Sequence, residues 1–205
     1  MSQTLEYGCQ CGALRGQATD VSPRTGLRLV CYCDDCQAYG LYLAPTTNGA
    51  PILDAGGGTE VYQLAPARLT ITTGHEHLRC LRLSPKGLLR WYAGCCNTPI
   101  ANTLPRSFPF VGVPVVALHP AEAREAALGP VRGRVHTRFA RPDVPVDGDR
   151  RASLGVIIRA VRNILRSWVK RQAKPSPFIR DDGSFAVEPT VLSKEERDAV
   201  TPKLS

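Results

Sequence analysis

The sequence predicts a mainly β body followed by a C-terminal helical extension, α+β overall. Three observations carry this. Short β-prone segments bounded by Gly, Pro and Asn recur between Tyr7 and Leu118. The longest helical periodicity comes after them, from Leu154 to Trp168. Seven of the eight cysteines fall into three tight groups, which offers a metal framework for a small β body.

The 205 residues suit one domain with an appendage, and a hydrophobic fraction of 43% suffices for a core. The expected division is a zinc-binding β domain over 1–120, an irregular connector over 121–149, and a basic amphipathic helix with its tail over 150–205. No apolar run approaches the ~20 residues that span a bilayer. Met1 to Tyr7 lacks the basic-then-apolar order of a secretory signal, so a cytoplasmic location is expected. In that compartment clustered thiols bind metal or do redox chemistry rather than form disulfides.

The first segment, Tyr7 to Gly12, reads as a strand that turns at Gly12, with Cys9 and Cys11 on one side of it. Gly12 permits the positive φ of a tight turn. Leu27 to Val30 is β-prone and leads into Cys31, Cys33 and Cys36, which a turn over Asp34 and Asp35 can gather around one centre. Thr46 to Gly58 is rich in Gly, Pro, Asn and Thr and reads as a loop. Its glycine run lacks the Lys-Ser/Thr ending of a phosphate-binding loop.

Strands are expected over Thr59 to Leu64 and Arg68 to Thr73, then a hairpin of Leu78 to Leu83 and Leu88 to Ala93. Ser84-Pro85-Lys86-Gly87 supplies its type I turn. Cys80 inside that hairpin reads as a small buried hydrophobe. The hairpin ends at Cys95 and Cys96, so the third thiol pair arrives on a strand end. Phe108 to Leu118, broken by Pro109 and Pro114, predicts short edge strands. A brief helix is expected over Pro120 to Leu128, then an irregular stretch from Gly129 to Gly148.

In the long helix Leu154, Ile157, Ile158, Val161, Ile164, Leu165 and Trp168 share one face, and Arg159, Arg162, Arg166 and Lys170 the other, until Pro175 and Pro177. Phe178 to Val187 is strand-like, and Ser193 to Glu196 reads as a capping box. Net charge is +8, yet eight of the 26 basic residues lie between Arg150 and Lys174 with no acidic one. The other 18 balance the 18 acidic residues, so the charge belongs to this segment. Three uses fit it: docking of the apolar stripe on the β body, contact with an anionic membrane surface, or contact with nucleic-acid phosphates. No base-reading motif is present, so sequence-specific nucleic-acid binding is not expected.

Thiolates are soft ligands that suit Zn²⁺ at ~2.3 Å in a tetrahedron. Cys31, Cys33 and Cys36 supply three ligands and leave the fourth to a distant protein group or to water or substrate. The first choice closes the site and makes it structural. The second opens it to chemistry.

The order Cys-x-Cys-Gly, Cys-x-Cys-x-x-Cys, then an aromatic strand ending in a cysteine pair and Thr-Pro, resembles the glutathione-dependent formaldehyde-activating enzyme and centromere protein V family over about residues 5 to 118. The resemblance implies a β-tent of antiparallel sheets held by zinc, one or two ions. It implies a structural site joining Cys9 and Cys11 to the late cysteine pair, and a second site on Cys31, Cys33 and Cys36 tied to activity on thiol adducts. Where relatives end the aromatic strand in Cys-x-x-Cys-Gly-Thr, this chain has Ala93, Gly94, Cys95, Cys96, Asn97 and Thr98. Asn97 stands in for glycine because Asn enters the left-handed region more readily than other residues. Tyr32 stands where a His is frequent. Two arrangements follow from Ala93: Cys95 completes Cys9, Cys11 and Cys96, or it turns to close the triple cluster.

The functional expectation is a carbon–sulfur lyase-like zinc protein acting on glutathione or other thiol adducts of small aldehydes. No proton-transfer residue is identified, since His75 and His77 precede the Cys80 strand and Asp34 and Asp35 read as turn formers. The alternative is a non-catalytic, zinc-stabilised binding module whose basic helix engages a membrane surface or an acidic partner.

Overall fold

The computed structural model describes residues 2–44 and 51–202; positions 46–50 of the expected Thr46–Gly58 loop and 203–205 of the tail lie outside the described residues. The strands are β1 (Gln3–Gly8), β2 (Arg15–Val21), β3 (Leu27–Cys31), β4 (Thr59–Leu64), β5 (Leu69–Thr73), β6 (Leu78–Arg82), β7 (Leu89–Ala93), β8 (Thr98–Thr103), β9 (Val111–Pro114), β10 (Leu118–His119), β11 (Arg134–Val135) and β12 (Thr190–Val191). The helices are α1 (Asp34–Leu43), α2 (Ala121–Leu128), α3 (Leu154–Val169) and α4 (Lys194–Val200). The protein is mainly β, α+β overall, with helices at its C-terminal end as the sequence predicts.

Two sheets form. The smaller runs β10-β1-β2-β5, and the larger runs β11-β3-β4-β9-β8-β7-β6-β12. Pairing is antiparallel except at the two ends of the larger sheet, where β11 joins β3 and β12 joins β6 in parallel. Alternation along β1 sends Leu5 and Tyr7 inward and leaves Glu6 outside. One main core takes Leu5, Tyr7, Ala18 and Leu69 from the smaller sheet and Tyr62, Trp91, Val111 and Val113 from the larger. Buried hydroxyls lock the sheets together: Tyr7 donates to the Ile100 carbonyl at 3.1 Å, and Tyr62 donates to the Ser22 carbonyl at 2.7 Å.

Four local expectations are corrected. Cys9 and Cys11 do not lie on the strand, because β1 stops at Gly8 and they occupy the following turn. A Cβ at Gly8 would lie 2.2 Å from the Leu14 carbonyl oxygen, so the chain folds back against itself there. Asp34 and Asp35 are not an isolated turn but the first turn of α1, where their carboxylates suit the positive helix end. The periodicity of α1 is invisible in sequence because Cys36, Gln37, Ala38, Tyr39, Gly40 and Leu43 are all buried, leaving no clear polar face. Of the short edge strands expected over Phe108 to Leu118, β10 does lie at the edge of the smaller sheet, but β9 is interior, lying between β4 and β8, with Pro114 tolerated as its last residue. β8 was not anticipated; its Pro99 sits where the register with β7 shifts.

The tail also joins the body. Phe178 is fully buried in the main core, with its ring 5.2 Å from that of Trp91. The Ser193 capping box forms with Glu196 as expected. Helix α3 docks, but not through its apolar stripe. Val156, Asn163 and Ser167 are the buried residues, while Leu154, Ile158, Leu165 and Trp168 face outward.

Candidate metal centres

The first centre is assembled from two turns. After β1, the amide of Cys9 donates to the Leu14 carbonyl at 3.0 Å and that of Gly12 to the Cys9 carbonyl at 3.1 Å. Gly12 takes φ +76°, as its sequence position predicts. The second turn joins β7 to β8. There the amide of Asn97 donates to the Ala93 carbonyl at 2.8 Å, and Asn97 takes φ +53°. Its left-handed conformation reverses the chain just after the adjacent cysteines. Thr98 couples the two turns: its hydroxyl accepts from the Gln10 amide at 3.0 Å and lies 3.0 Å from Cys96 Sγ.

These turns gather Cys9, Cys11, Cys95 and Cys96. The Sγ–Sγ separations are 3.4 Å for Cys9–Cys11, 3.7 Å for Cys9–Cys95, 3.4 Å for Cys11–Cys95 and 3.9 Å for Cys95–Cys96. All are far beyond the ~2.05 Å of a disulfide. Four sulfurs at ~2.3 Å from one ion in a tetrahedron lie about 3.8 Å from each other. The group therefore fits a four-thiolate metal centre. Cys95 belongs to this group and does not join the triple cluster, which decides between the two arrangements the sequence allows. Burial pushes the Cys9 thiol up. It pushes Cys96 up too, but hydrogen bonds from the Thr98 side chain and the Cys11 backbone bring it down to about 6.

The second centre is local. Cys31 ends β3, Cys33 caps α1, and Cys36 lies in the first turn of α1. The amides of Cys36 and Gln37 donate to the Cys33 carbonyl at 3.0 and 3.1 Å, which rolls Cys36 back toward the strand. Gln37 braces the bend by donating to the carbonyls of Tyr32 at 2.7 Å and Phe139 at 2.6 Å. The Cys31 and Cys33 sulfurs are 3.4 Å apart, and all three sulfurs lie within 4.8 Å of one another. Among the described residues no fourth Cys, His, Asp or Glu joins them. Cys36 is buried, while Cys31 and Cys33 are only partly buried.

One functional residue escapes the sequence reading. Arg90, the second residue of β7, is 3% exposed, and its Nη1 lies 3.7 Å from Cys36 Sγ. It also donates to Asn102 Oδ1 at 3.1 Å and stands 5.5 Å over the Tyr39 ring. Hydrogen bonds from Cys31 and Cys33 hold Cys36 well below the ordinary thiol range, and the guanidinium adds to this. Three thiolates around a divalent cation leave one negative charge, which Arg90 can balance in the interior. A lone basic residue within the apolar strand Leu89–Ala93 is the signal that could have found it.

The other candidates fall outside both groups. Cys80 is buried in β6, with burial pushing its thiol up to about 12. His75 and His77 form a short turn before β6 and enter neither group. Asp35 is engaged by Arg197 at 2.7 Å. Tyr32 donates its hydroxyl to Asp54 at 2.8 Å.

Fold and sites together define a mainly β protein with two cysteine-built centres, one of four thiols and one of three, each able to hold a metal ion. The chain belongs to a family of unknown function (DUF6151), which matches residues 1–188. No curated protein matches it. A crystal structure of a Rhodobacter sphaeroides protein is similar at 20% identity, covering 62% of this chain and 96% of that one with a TM-score of 0.42.

Proposed function

We propose that this is a cytoplasmic zinc protein in which the four-cysteine centre holds the fold and the three-cysteine centre takes a thiol or thiol adduct at its fourth position. The reaction class is carbon–sulfur lyase-like: the bond between a thiol sulfur and the carbon of a small aldehyde is made or broken. Glutathione is the proposed thiol, in keeping with the resemblance to the glutathione-dependent formaldehyde-activating enzyme and centromere protein V family. The single observation that supports this reading is the inequality of the two groups, four thiols against three.

Bound zinc would supply a Lewis acid for a thiolate or a carbonyl oxygen. The protein's own contributions are distinct. Cys36 and Arg90 form the buried floor, where the guanidinium offsets thiolate charge. Cys31 and Cys33 form the rim through which a small thiol can reach the centre. In breaking an adduct, the hydroxyl proton leaves as the carbonyl forms and the thiol departs as thiolate or regains a proton.

Cobalt substitution tests this. Cobalt in two tetrahedral thiolate sites gives visible bands, and added glutathione is expected to alter those from the three-cysteine centre alone. Bands indifferent to glutathione would favour the second reading, a non-catalytic zinc-stabilised module. The outward apolar face of α3 speaks for that reading.

A further inference from the structure

We infer that α3 is a docking element for an anionic lipid surface, lying along the membrane with its apolar face inserted. This goes beyond the proposed chemistry and does not depend on it. Among the described residues eight large hydrophobic side chains are exposed, and seven of them are on this one helix. Leu154 is 71% exposed, Trp168 68% and Val169 77%. Apolar patches of this kind mark interaction surfaces rather than ordinary protein exterior.

The helix is not loosely attached, so its exposure is built in. Val156 packs with Leu27 and Val135, and Ala160 borders the same cluster. Gln63 donates to the Ala160 carbonyl at 3.2 Å. Past the helix, the Ala67 amide donates to the Gln172 carbonyl at 3.1 Å. Positions 156, 160, 163 and 167 follow one another at helical spacing and form the docked face. At 3.6 residues per turn, Leu154, Ile158, Val161 and Leu165 then lie on roughly the opposite side. The small and polar side of the helix meets the protein, and the apolar side meets the outside.

Charge selects the occupant. Arg159, Arg162, Arg166 and Lys170 are exposed and form a row along one flank of the apolar face. The stretch from Arg150 to Lys174 has eight basic and no acidic side chains. Two copies meeting through this face would bring like charges together. Anionic headgroups supply the missing counter-charge, while long basic side chains snorkel to them and the aliphatic row and Trp168 enter the acyl boundary. Attraction between such a basic segment and an anionic leaflet is salt-sensitive.

The test is co-sedimentation of the full-length, metal-loaded protein with vesicles of phosphatidylcholine alone and of phosphatidylcholine with about one-third phosphatidylserine. Binding is expected to be at least ~10-fold stronger on the anionic vesicles and to weaken at high salt. The exposed double variant Val161→Glu/Leu165→Glu is expected to lose it, with an unchanged melting temperature showing that the fold survives. Equal binding to neutral vesicles would overturn the proposal. So would binding that only Arg159→Gln/Arg162→Gln weakens, since that is adsorption without insertion. Absence of vesicle binding, together with a solution dimer that the double variant dissociates, would assign the face to a second copy instead.

Discussion

The Sγ atoms of Cys9 and Cys95 lie 3.7 Å apart although 86 positions separate them in the chain. A metal held between them ties the turn after β1 to the turn after β7. The smaller and larger sheets are thereby cross-linked at one end. Closing a loop of that length is worth about 4–5 kcal/mol in chain entropy.

Chelation of the reduced protein should therefore lower its melting temperature by roughly 10–15 °C in a chain of this size. Differential scanning calorimetry with and without chelator measures it. An unchanged transition would mean that the thiols hold nothing.

Arg90 is expected to matter to the three-cysteine centre more than to the other. Arg90→Met keeps the length and apolar stem but removes the charge 3.7 Å from Cys36. Loss of an outer partner typically weakens a metal site by about 10–100-fold. Competition with a metal indicator should show one site weakened and one unchanged. Equal weakening of both would point to general destabilisation.

Phe178 is a packing anchor for the C-terminal segment. It is fully buried and meets Trp91 in the main core. Phe178→Ala should cost about 3–5 kcal/mol by urea denaturation. A change below about 1 kcal/mol would show that the segment is not part of the cooperative core.

Arg28 gives a pH dependence. Its guanidinium grips Glu125 through both oxygens at 2.7 and 2.9 Å, pairs with Glu60, and so ties α2 to β3. The hydrogen bond from Arg28 lowers the Glu125 pKa below its ordinary value of 4.5. A depressed carboxyl pKa contributes stability that is present above the unfolded value and lost as pH falls through the folded one. Glu125 is half-exposed, so its contribution is below about 1 kcal/mol. Glu125→Gln should therefore lower stability at pH 7 by less than about 1 kcal/mol, and the difference from the parent should vanish as pH falls below about 4.5. Equal loss at both pH values would rule out this origin.

Much of the framework is legible in the sequence. Thr59 to Leu64 becomes β4 with the same limits, and the Ser84–Gly87 turn closes with the Gly87 amide on the Ser84 carbonyl at 3.0 Å. The cysteine groups are readable because thiols clustered at short spacing have few other uses in a chain of this type. The partner of Cys95 is not readable, because it depends on where the β7–β8 turn lies in space. Helix α1 is hidden because burial on nearly all sides erases its period. The helical period of α3 is plain, yet its docked side is not. Hydrophobic pattern predicts that the apolar stripe turns inward, whereas Val156, Asn163 and Ser167 do so. Arg90 hides for a related reason: one cation in an apolar strand acquires meaning only when Cys36 is folded against it.

The most direct test of the two-centre account is elemental analysis of the reduced, purified protein beside two variants, Cys9→Ser/Cys96→Ser and Cys31→Ser/Cys36→Ser. The account predicts two zinc ions per chain in the parent and one in each variant, in keeping with the two thiol groups. A parent protein that is fully folded yet carries no metal, or variants that retain the parent's metal content, would contradict it.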